Sequence, residues 1–566
     1  MSTDSGPLQN GFFTSRTAAA VLLLCFGLWA VWSWWNAGTP VRVPGAASAK
    51  LPCISYAPSR QEGPARAGLT VAQLRKDLAL LSQRTGCIRT YTVSEGFDQV
   101  PAVAREFGMH VLLGLWIGRD DAHNELEIAR GILIAQQHRD VVRAVVVGNE
   151  VLLRHEQPPE RLAAMLRRVA AATGLPVTYA DVWEYWLDYK QLAQEVSFVT
   201  VHILPYWDDY PVGIDEVMPY VDHLYSRLQR ELPGKQLFVG ETGWPTAGRP
   251  RGPAEPGRVN QAIFLRGFAE LARQRGVDFN VIEAFDQPWK VANEGTVGGH
   301  WGLYDANGRA KVGPDDSVVE ARAGRAVAVS ALLAGAIAAL VALLVLPATR
   351  AYSATLAFGL GTTAVTVAAQ QWRYLAAGNL HSIDWAVTLP IVALGWIALA
   401  CVVRAALSRS GIQRHPIPRY VELPLLIGAV YVCLGLLFAG RHRDFPVWLF
   451  LPGVVAFTLV ALSKPAARAL ALRLRSANEE VVMATCLVLT GPLVVVLEGL
   501  QNGRALGWGL SSVLLGLAVL GPLFLQAGER QRTREHANDG PGERIEHHAE
   551  RTDRRSKVGE GGGLPP

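Results

Sequence analysis

The sequence predicts an α/β fold, a (β/α)8 TIM barrel, followed by an all-α multispan membrane domain. Residues from about 50 to 320 carry charges throughout, and short apolar runs alternate there with helical patterns. Such alternation indicates a parallel sheet with crossover helices. Residues 325–527 are instead mostly apolar runs separated by short charged loops. At 566 residues the chain is also too long for one ordinary domain.

Eight short runs rich in apolar or β-branched residues are the predicted barrel strands. They are Pro52–Ala57, Cys87–Thr92, His110–Trp116, Ala144–Asn149, Val177–Ala180, Phe198–His202, Gln236–Gly240 and Phe279–Phe285. Helical patterns between them include Val71–Gln83, Asn124–Gln137, Pro159–Ala172, Ile214–Leu232 and Arg258–Arg275. Eight units over roughly 270 residues match the usual size of this barrel. We assign the barrel to residues 51–320 and expect a short last helix near 313–322.

The first apolar run, residues 18–35, follows Arg16 and ends in a cluster of tryptophans. Its length suits one crossing of a bilayer, and interfacial tryptophans are typical of membrane anchors. We therefore interpret it as an uncleaved signal anchor, with residues 1–17 in the cytoplasm and residues 36–50 as a linker. A cleaved signal peptide is the alternative.

Seven further apolar runs predict seven more transmembrane helices within residues 325–527. They lie near 326–346, 352–370, 385–403, 423–440, 446–462, 481–498 and 507–526. Basic residues cluster in three short segments, and the positive-inside rule assigns all three to the cytoplasm. The basic residues are Arg404, Arg409, Arg414 and Arg419, then Lys464, Arg468, Arg473 and Arg475, then Arg530, Arg532 and Arg534. The barrel then lies outside, and residues 528–566 form a disordered cytoplasmic tail. Arg441 and Arg443 are exceptions, because this topology leaves them outside.

Composition excludes several other classes of function. The net charge of +5 comes without a basic stripe and interleaved aromatics, so we do not expect nucleic-acid binding. No Cys or His spacing resembles a metal site. Cys53 and Cys87, at the starts of two neighbouring predicted strands, either form a disulfide in an oxidising compartment or remain buried thiols. The other four cysteines fall in predicted spans.

Active sites of this fold lie where strands end and loops begin. Glu150 follows the fourth predicted strand and Glu241 the seventh. An aromatic residue follows most of the other strands, and flat aromatic faces beside carboxylates suit sugar rings. The predicted binding residues at this rim include Trp116, Trp183, Tyr206, Trp207, Trp244, Asp286 and Trp289. Two carboxylates at one mouth suit a retaining glycosidase, in which one protonates the leaving oxygen and the other attacks the anomeric carbon.

Two motifs resemble the signatures of glycoside hydrolase family 17, the β-1,3-glucanase family. They are Val-Gly-Asn-Glu at 147–150 and Val-Gly-Glu-Thr-Gly-Trp-Pro at 239–245. The resemblance implies a retaining (β/α)8 enzyme in which Glu150 is the acid/base, Glu241 the nucleophile, and Asn149 a contact to the sugar 2-hydroxyl. Softer matches are 88–91, 285–290 and 300–304. Within the first of these, we expect Arg89 and Tyr91 to bind substrate. The family usually has an acidic residue in place of Gln287.

The segment after the sixth strand departs from the plant enzymes. They have Asn-x-Tyr-Pro-Tyr where this chain has His202-Ile203-Leu204-Pro205-Tyr206. We expect His202 to contact substrate or Glu241, and a packed, hydrogen-bonded histidine is the alternative. This variant resembles the bacterial branch of the family, found in membrane-bound β-glucan synthases and glucanosyltransferases. The resemblance implies a bacterial inner membrane with a periplasmic barrel.

The sequence thus favours a periplasmic β-1,3/β-1,6-glucan glucanosyltransferase, a component of β-glucan synthesis. The alternatives are a membrane-anchored endo-β-1,3-glucanase and a non-catalytic glucan-binding or transport component. Expected partners are a β-glucan donor, a sugar acceptor, the lipid bilayer and, in synthesis, a separate membrane glucan synthase. No cofactor is expected, because two carboxylates suffice.

Overall fold

The computed structural model describes residues 6–43, 50–58, 69–312, 317–345, 350–407, 415–463 and 478–538, together with residues 467, 470 and 474. The chain divides into two compact units. The first contains residues 1–386, 439–448 and 498–504, and the second contains residues 387–438, 449–497 and 505–566. Residues 44–49 of the predicted linker lie outside the described residues, as do Arg409, Arg414, Lys464, Arg468, Arg473, Arg475 and the tail beyond 538. The side chains of Arg530, Arg532 and Arg534 also lie outside them.

A closed parallel barrel forms the main part of the first unit. Its eight strands are β1 (Cys53–Ser55), β2 (Cys87–Arg89), β3 (His110–Leu115), β4 (Val142–Asn149), β5 (Val177–Val182), β6 (Val199–His202), β7 (Leu237–Thr242) and β8 (Phe279–Val281). The barrel closes because β1 pairs with both β2 and β8. The predicted fold, strand number and strand order are therefore confirmed. The first and last strands are shorter than their apolar runs.

Helices follow the strands and cover the outside of the barrel. They are Val71–Leu81, Val100–Glu106, Asp121–Gln137, Pro159–Thr173, Trp183–Asp188, Val217–Glu231 and Arg258–Arg275. Side chains cap two of them: Thr70 accepts a hydrogen bond from the backbone of Gln73, and Asp120 accepts hydrogen bonds from the backbone of Ala122 and His123. The helix predicted near 313–322 is wrong. Ser317–Val318 pairs antiparallel with Val41–Arg42, and the next helix begins at Gly324.

Two layers of apolar side chains hold the barrel rigid. Cys53, Leu112, Ala144, Val146 and Ala180 are buried inside the ring of strands. A larger layer lies between strands and helices, where helix Pro159–Thr173 contributes Leu162, Leu166 and Val169 from one face. Each buried aliphatic side chain stabilises the fold by about 1.5–3 kcal/mol. The strand ends therefore give a firm base for the loops at the barrel mouth.

Cys53 and Cys87 are joined by a disulfide bond. The two residues begin β1 and β2, so the bond lies at the amino-terminal end of the barrel, opposite the mouth. Of the two alternatives from sequence, the structure contains the bonded pair.

Long apolar helices complete both units. Among the described residues, seven helices are long and apolar enough to cross a membrane. They are Gly6–Ala37, Gly324–Val345, Arg350–Gly378, Ser382–Leu407, Arg419–Phe438, Asn478–Glu498 and Gly503–Asn538. An eighth apolar helix, Val447–Leu462, has only 16 residues.

Two of these helices extend beyond the predicted spans 18–35 and 507–526. The first helix begins at Gly6, and the last continues to Asn538, although their apolar parts, Ala20–Ala37 and Gly503–Phe524, agree with those spans. Hydropathy marks only the apolar part of a helix, whereas polar residues such as Gln and Arg prolong it because their helix propensity is high. The N-terminal helix packs against the next two apolar helices, with Val31 and Trp34 in a common core with Ala328 and Ala331.

Candidate active site

Glu150 and Glu241 lie together at the carboxyl end of the barrel. Glu241 belongs to β7, and Glu150 follows the last residue of β4. An oxygen of each carboxylate lies within 4.8 Å of the other. This spacing fits the short separation of about 5–5.5 Å found in retaining glycosidases and is too short for the inverting arrangement. Glu150 has a φ of 53°, a left-handed conformation that is rare outside glycine and often occurs at functional sites.

A buried network from β2 holds Glu241. Nη1 of Arg89 donates to the backbone oxygen of Gly240 at 2.8 Å and to Oε1 of Glu241 at 3.3 Å. The Tyr91 hydroxyl lies 2.8 Å from the same carboxylate oxygen. Nη2 of Arg89 donates to Oδ1 of Asn149 at 2.5 Å. One cation thus links the ends of β2, β4 and β7, and it fixes the orientation of the Glu241 carboxylate.

His202, at the end of β6, lies between the two glutamates. Its Nδ1 is 3.1 Å from Oε1 of Glu150, and its Nε2 is 3.7 Å from Oε1 of Glu241. The ring is almost completely buried. Nη1 of Arg89 is 3.5 Å from Nε2, which favours an unprotonated Nε2 and a proton on Nδ1. The histidine therefore donates to Glu150 in this arrangement.

These neighbours alter the acidity of the site. Burial works to raise the pKa of Glu150, but the hydrogen bond from His202 and the positive charges of Arg154 and Arg89 outweigh it and hold the pKa below its usual range. Burial and the charge of Glu241 raise the pKa of Tyr91 well above its usual value. Tyr91 therefore stays protonated and can donate its hydroxyl hydrogen to the carboxylate.

Two carboxylates and an imidazole in such proximity are also potential metal ligands. Glu150, His202 and Glu241 form the one group of His, Cys, Asp and Glu side chains, within the described residues, whose atoms could converge on an ion. The Arg89 guanidinium lies at 3.3–3.5 Å from two of the three side chains. A cation would be repelled by that charge. The geometry therefore favours a carboxylate pair used directly.

Comparison with known proteins agrees with this geometry. Residues 53–302 match the model of the BtgE/BtgC glycoside hydrolase domain. A glucan 1,3-beta-glucosidase of Schizosaccharomyces pombe is 30% identical over 232 residues, which are 38% of this chain and 72% of the relative. The chain belongs to glycoside hydrolase family 17. It is therefore a glycosidase or transglycosidase, as the sequence predicted.

Further members of family 17 show a similar match. A glucan 1,3-beta-glucosidase of Candida albicans is 27% identical over 263 residues, 42% of this chain and 84% of the relative. The solved structure of a family 17 beta-1,3-glucanosyltransferase from Rhizomucor miehei is 26% identical, with a TM-score of 0.43, and the match covers 49% of this chain and all of that one.

In this family 17 barrel, four of the predicted aromatic residues are half-buried in the mouth loops. Trp116 lies under the Arg154 guanidinium at 4.5 Å, and Nε1 of Trp183 donates to Asp208 at 3.2 Å. Nε1 of Trp289 donates to Gln287 at 2.9 Å. Trp207 stacks on Trp301 with ring centroids 6.4 Å apart. These four side chains remain the candidates for sugar contacts.

Three predicted contact residues are corrected. Tyr206 and Trp244 are fully buried, because each packs beneath the mouth and donates its polar hydrogen to a backbone oxygen, of Arg249 and Glu255 respectively. Asp286 forms a buried ion pair with Lys311 at 2.7 Å. Position after a strand predicts the end of the barrel, but it does not tell whether a side chain faces the cleft or the core.

Sequence reasoning missed an ion pair after β8. Nζ of Lys290 lies 2.9 Å from a carboxylate oxygen of Glu283, and both side chains are largely buried. Burial raises the pKa of Glu283 against the effect of Lys290, and the charge of Glu241 adds to the rise. Nearby, burial raises the pKa of Glu294 to about 7. The sequence did contain a signal for this pair, because two acidic residues, Glu283 and Glu294, flank Lys290 of the 285–290 motif.

Two further residues support the acid/base loop. The Tyr179 hydroxyl donates to Asp181 and accepts from the backbone nitrogen of Leu152, two residues after Glu150. Burial and the nearby Glu150 raise the pKa of Asp181 to about 6. This contact holds the loop that presents Glu150 in its left-handed conformation.

Proposed function

We propose that the protein is a membrane-anchored, retaining β-1,3-glucan glucanosyltransferase. The observation that carries this proposal is the close pair of Glu150 and Glu241 at one barrel mouth. The substrate class follows from the names of the relatives, which are glucan 1,3-beta-glucosidases and a beta-1,3-glucanosyltransferase. We also propose, from the resemblance of the motifs, that the protein belongs to the bacterial branch of the family and acts on β-1,6 linkages as well.

In the first step the carboxylate of Glu241 attacks the anomeric carbon of the donor glucan. The glycosidic bond breaks, and Glu150 gives its proton to the leaving oxygen. The products are a glycosyl ester on Glu241 and a shortened glucan. Arg89 and Tyr91 orient the attacking carboxylate, so the geometry is set before substrate binds. Asn149, held through Oδ1, retains its amide hydrogens for the sugar 2-hydroxyl.

Glu150 must be protonated for this step. Bound sugar displaces water from the mouth, and a less polar environment favours the neutral carboxylic acid over the carboxylate. The hydrogen bond of 3.1 Å from Nδ1 of His202 then orients the carboxyl group of Glu150.

In the second step an acceptor hydroxyl attacks the glycosyl ester while Glu150 removes its proton. The new glycosidic bond retains the β configuration, and Glu241 leaves as a carboxylate. A sugar acceptor gives transfer and water gives hydrolysis. The aromatic residues at the mouth favour transfer, because they would hold an acceptor sugar and exclude water.

Three features support attachment to a membrane with the barrel outside. The apolar helices have the required length and composition. Within the first unit, the 439–446 loop and the 498–504 segment both contact the barrel, through Arg441 with Asp209 and Arg504 with Gly248. Eight crossings would leave both segments on that side, and Arg441 and Arg443 are then placed beside the acidic partners Asp209 and Glu498. The disulfide suits an oxidising periplasm.

The hydrolase alternative uses the same two glutamates and differs only in the acceptor. A non-catalytic glucan-binding or transport protein has no need for a carboxylate pair held by Arg89 and Tyr91. To test the proposal, the full chain in detergent is given a reduced laminarin oligosaccharide, and products are followed by mass spectrometry. Products longer than the substrate, absent in Glu241→Gln and retained in the exposed control Glu216→Gln, support transfer. Shorter products alone would establish hydrolysis, and no products on any β-glucan would favour binding only.

A further inference from the structure

A loop between two apolar helices contacts the barrel mouth. This loop, residues 439–446, connects helices Arg419–Phe438 and Val447–Leu462 and belongs to the first unit. Arg441 lies 3.3 Å from Asp209 in the loop after β6. Nη1 of Arg249, after β7, donates to the backbone oxygen of Arg443 at 3.4 Å. Oγ1 of Thr296, after β8, donates to Asp444 at 2.9 Å. The 439–446 loop thus meets three consecutive loops of the mouth.

The contact reaches the catalytic surroundings through the segment after β8. The imidazole of His442 hydrogen-bonds to the backbone of Glu294. The Glu294 carboxyl is close enough to both catalytic glutamates for their charges to raise its pKa. Thr296 also accepts a hydrogen bond from the backbone nitrogen of Arg249 at 3.0 Å. The 439–446 loop and the loops after β7 and β8 are therefore one connected wall.

Two side chains of the loop remain open to solvent. Half of the Arg441 side chain is exposed (52%), and its partner Asp209 is more exposed still (78%). His442 is exposed, and its ring centroid is 6.1 Å from that of Trp207. A guanidinium offers several donors in one plane, and an imidazole ring offers a flat face. Both groups suit a hydroxyl-rich chain with apolar C–H faces.

We propose that Arg441 and His442 form an outer glucan subsite, so that a loop between two membrane helices determines which chain lengths the barrel uses. A glucan bound at Glu150 and Glu241 extends from the mouth across the surrounding loops. A short oligosaccharide ends before the 439–446 loop, whereas a longer chain continues over Trp207 to His442 and Arg441. This inference rests on the proposed function and specifies its substrate.

The experiment compares two substrates on the full chain in detergent, a β-1,3-linked trisaccharide and a long reduced laminarin. Arg441→Ala and His442→Ala are each expected to lower kcat/KM about tenfold on laminarin, the effect of one lost hydrogen bond or ring contact, and to leave the trisaccharide unchanged. The matched controls Arg273→Ala and His223→Ala change exposed residues of the outer helices, and they should leave both substrates unchanged.

Other outcomes overturn the subsite. Equal losses on both substrates would mean that the loop only supports the mouth, and unchanged values on both would mean that it does not touch the glucan. Faster use of laminarin by either variant would mean that the loop blocks the chain. Arg441→Ala distinguishes these outcomes even if His442→Ala disturbs the packing of the loops. The Arg441 side chain is half exposed, so its removal should disturb the fold little. If the unaltered protein acts on no β-glucan, the proposed function fails instead.

Discussion

Nδ1 of His202 lies 3.1 Å from Oε1 of Glu150, so the proposed acid/base shares a hydrogen bond with a buried histidine. The histidine comes from β6 and the glutamate follows β4, and β5 separates the two strands in the barrel. The other side of the ring faces Glu241 at 3.7 Å. A single imidazole therefore lies against both carboxylates.

Replacing His202 by Asn, the residue of the plant enzymes, should shift the alkaline limb of the kcat/KM profile to higher pH. Against the effect of burial, the hydrogen bond from His202 helps Arg154 and Arg89 to hold the pKa of Glu150 below its usual range. A general acid works only while protonated, so activity falls above its pKa, and raising that pKa extends activity upward. If the alkaline limb of the variant does not move while its kcat falls, His202 has a packing role instead.

Glu150→Gln should slow cleavage of β-1,3-glucans by about 10²–10⁴-fold, the usual contribution of a general acid. An aryl β-glycoside with a good leaving group needs little protonation, so its first step should remain fast in this variant. Turnover would then stall at the glycosyl ester, which intact-protein mass spectrometry detects. Equal loss on both substrates would contradict the acid role. Glu156→Gln, in the same loop and paired with Arg154, is the control.

Lys290→Met should destabilise the barrel by about 3–5 kcal/mol, because it leaves the buried carboxylate of Glu283 without its cation. The double variant Glu283→Gln/Lys290→Met should recover part of this loss, since no buried charge remains. The temperature of half-inactivation of the glucan activity reports both. If the double variant is as unstable as the single one, the pair acts through packing and not charge. Lys190→Met, which breaks an exposed ion pair with Glu231, should change stability by less than about 1 kcal/mol.

Removal of the disulfide by Cys53→Ala/Cys87→Ala should lower stability by about 2–4 kcal/mol, because the bond closes a loop and restricts the unfolded chain. The two cysteines are 34 positions apart. Activity at low temperature should be unchanged, since the bond is at the end of the barrel opposite Glu150 and Glu241. A lower half-inactivation temperature with unaltered kcat would agree. A loss of kcat at low temperature would show that the bond also shapes the mouth.

Reporter fusions should show a barrel and a C-terminus on opposite sides of the membrane. Alkaline phosphatase, which is active only outside the cytoplasm, should be active after Val312 and after His442 and inactive after Leu407 and after Pro566. The alternation requires that the 16-residue helix Val447–Leu462 crosses the bilayer. Activity at the C-terminus together with activity after His442 would mean that one of the last three helices does not cross.

The sequence alone was sufficient for the barrel and its family. Apolar runs and helical patterns alternate eight times, and each pattern depends only on residues that are close together in the sequence, so the sequence is enough to predict them. The two glutamates were readable too, because each follows a strand within a recognisable motif. The predictions failed where one local pattern is compatible with two environments of a side chain, the cleft or the core. Tyr206 and Trp244 follow strands as Trp207 does, yet they turn into the core.

Only the tertiary structure brought together residues that are distant in sequence. Arg89, His202 and Glu241 come from three strands, and the closure of the barrel brings their polar atoms to within 3.7 Å of one another. The 439–446 loop lies more than a hundred residues after the barrel, so nothing in its sequence indicated that it meets Trp207 and Thr296. Such contacts depend on how the chain closes and on which side chains fit together, and no periodicity along the sequence records either.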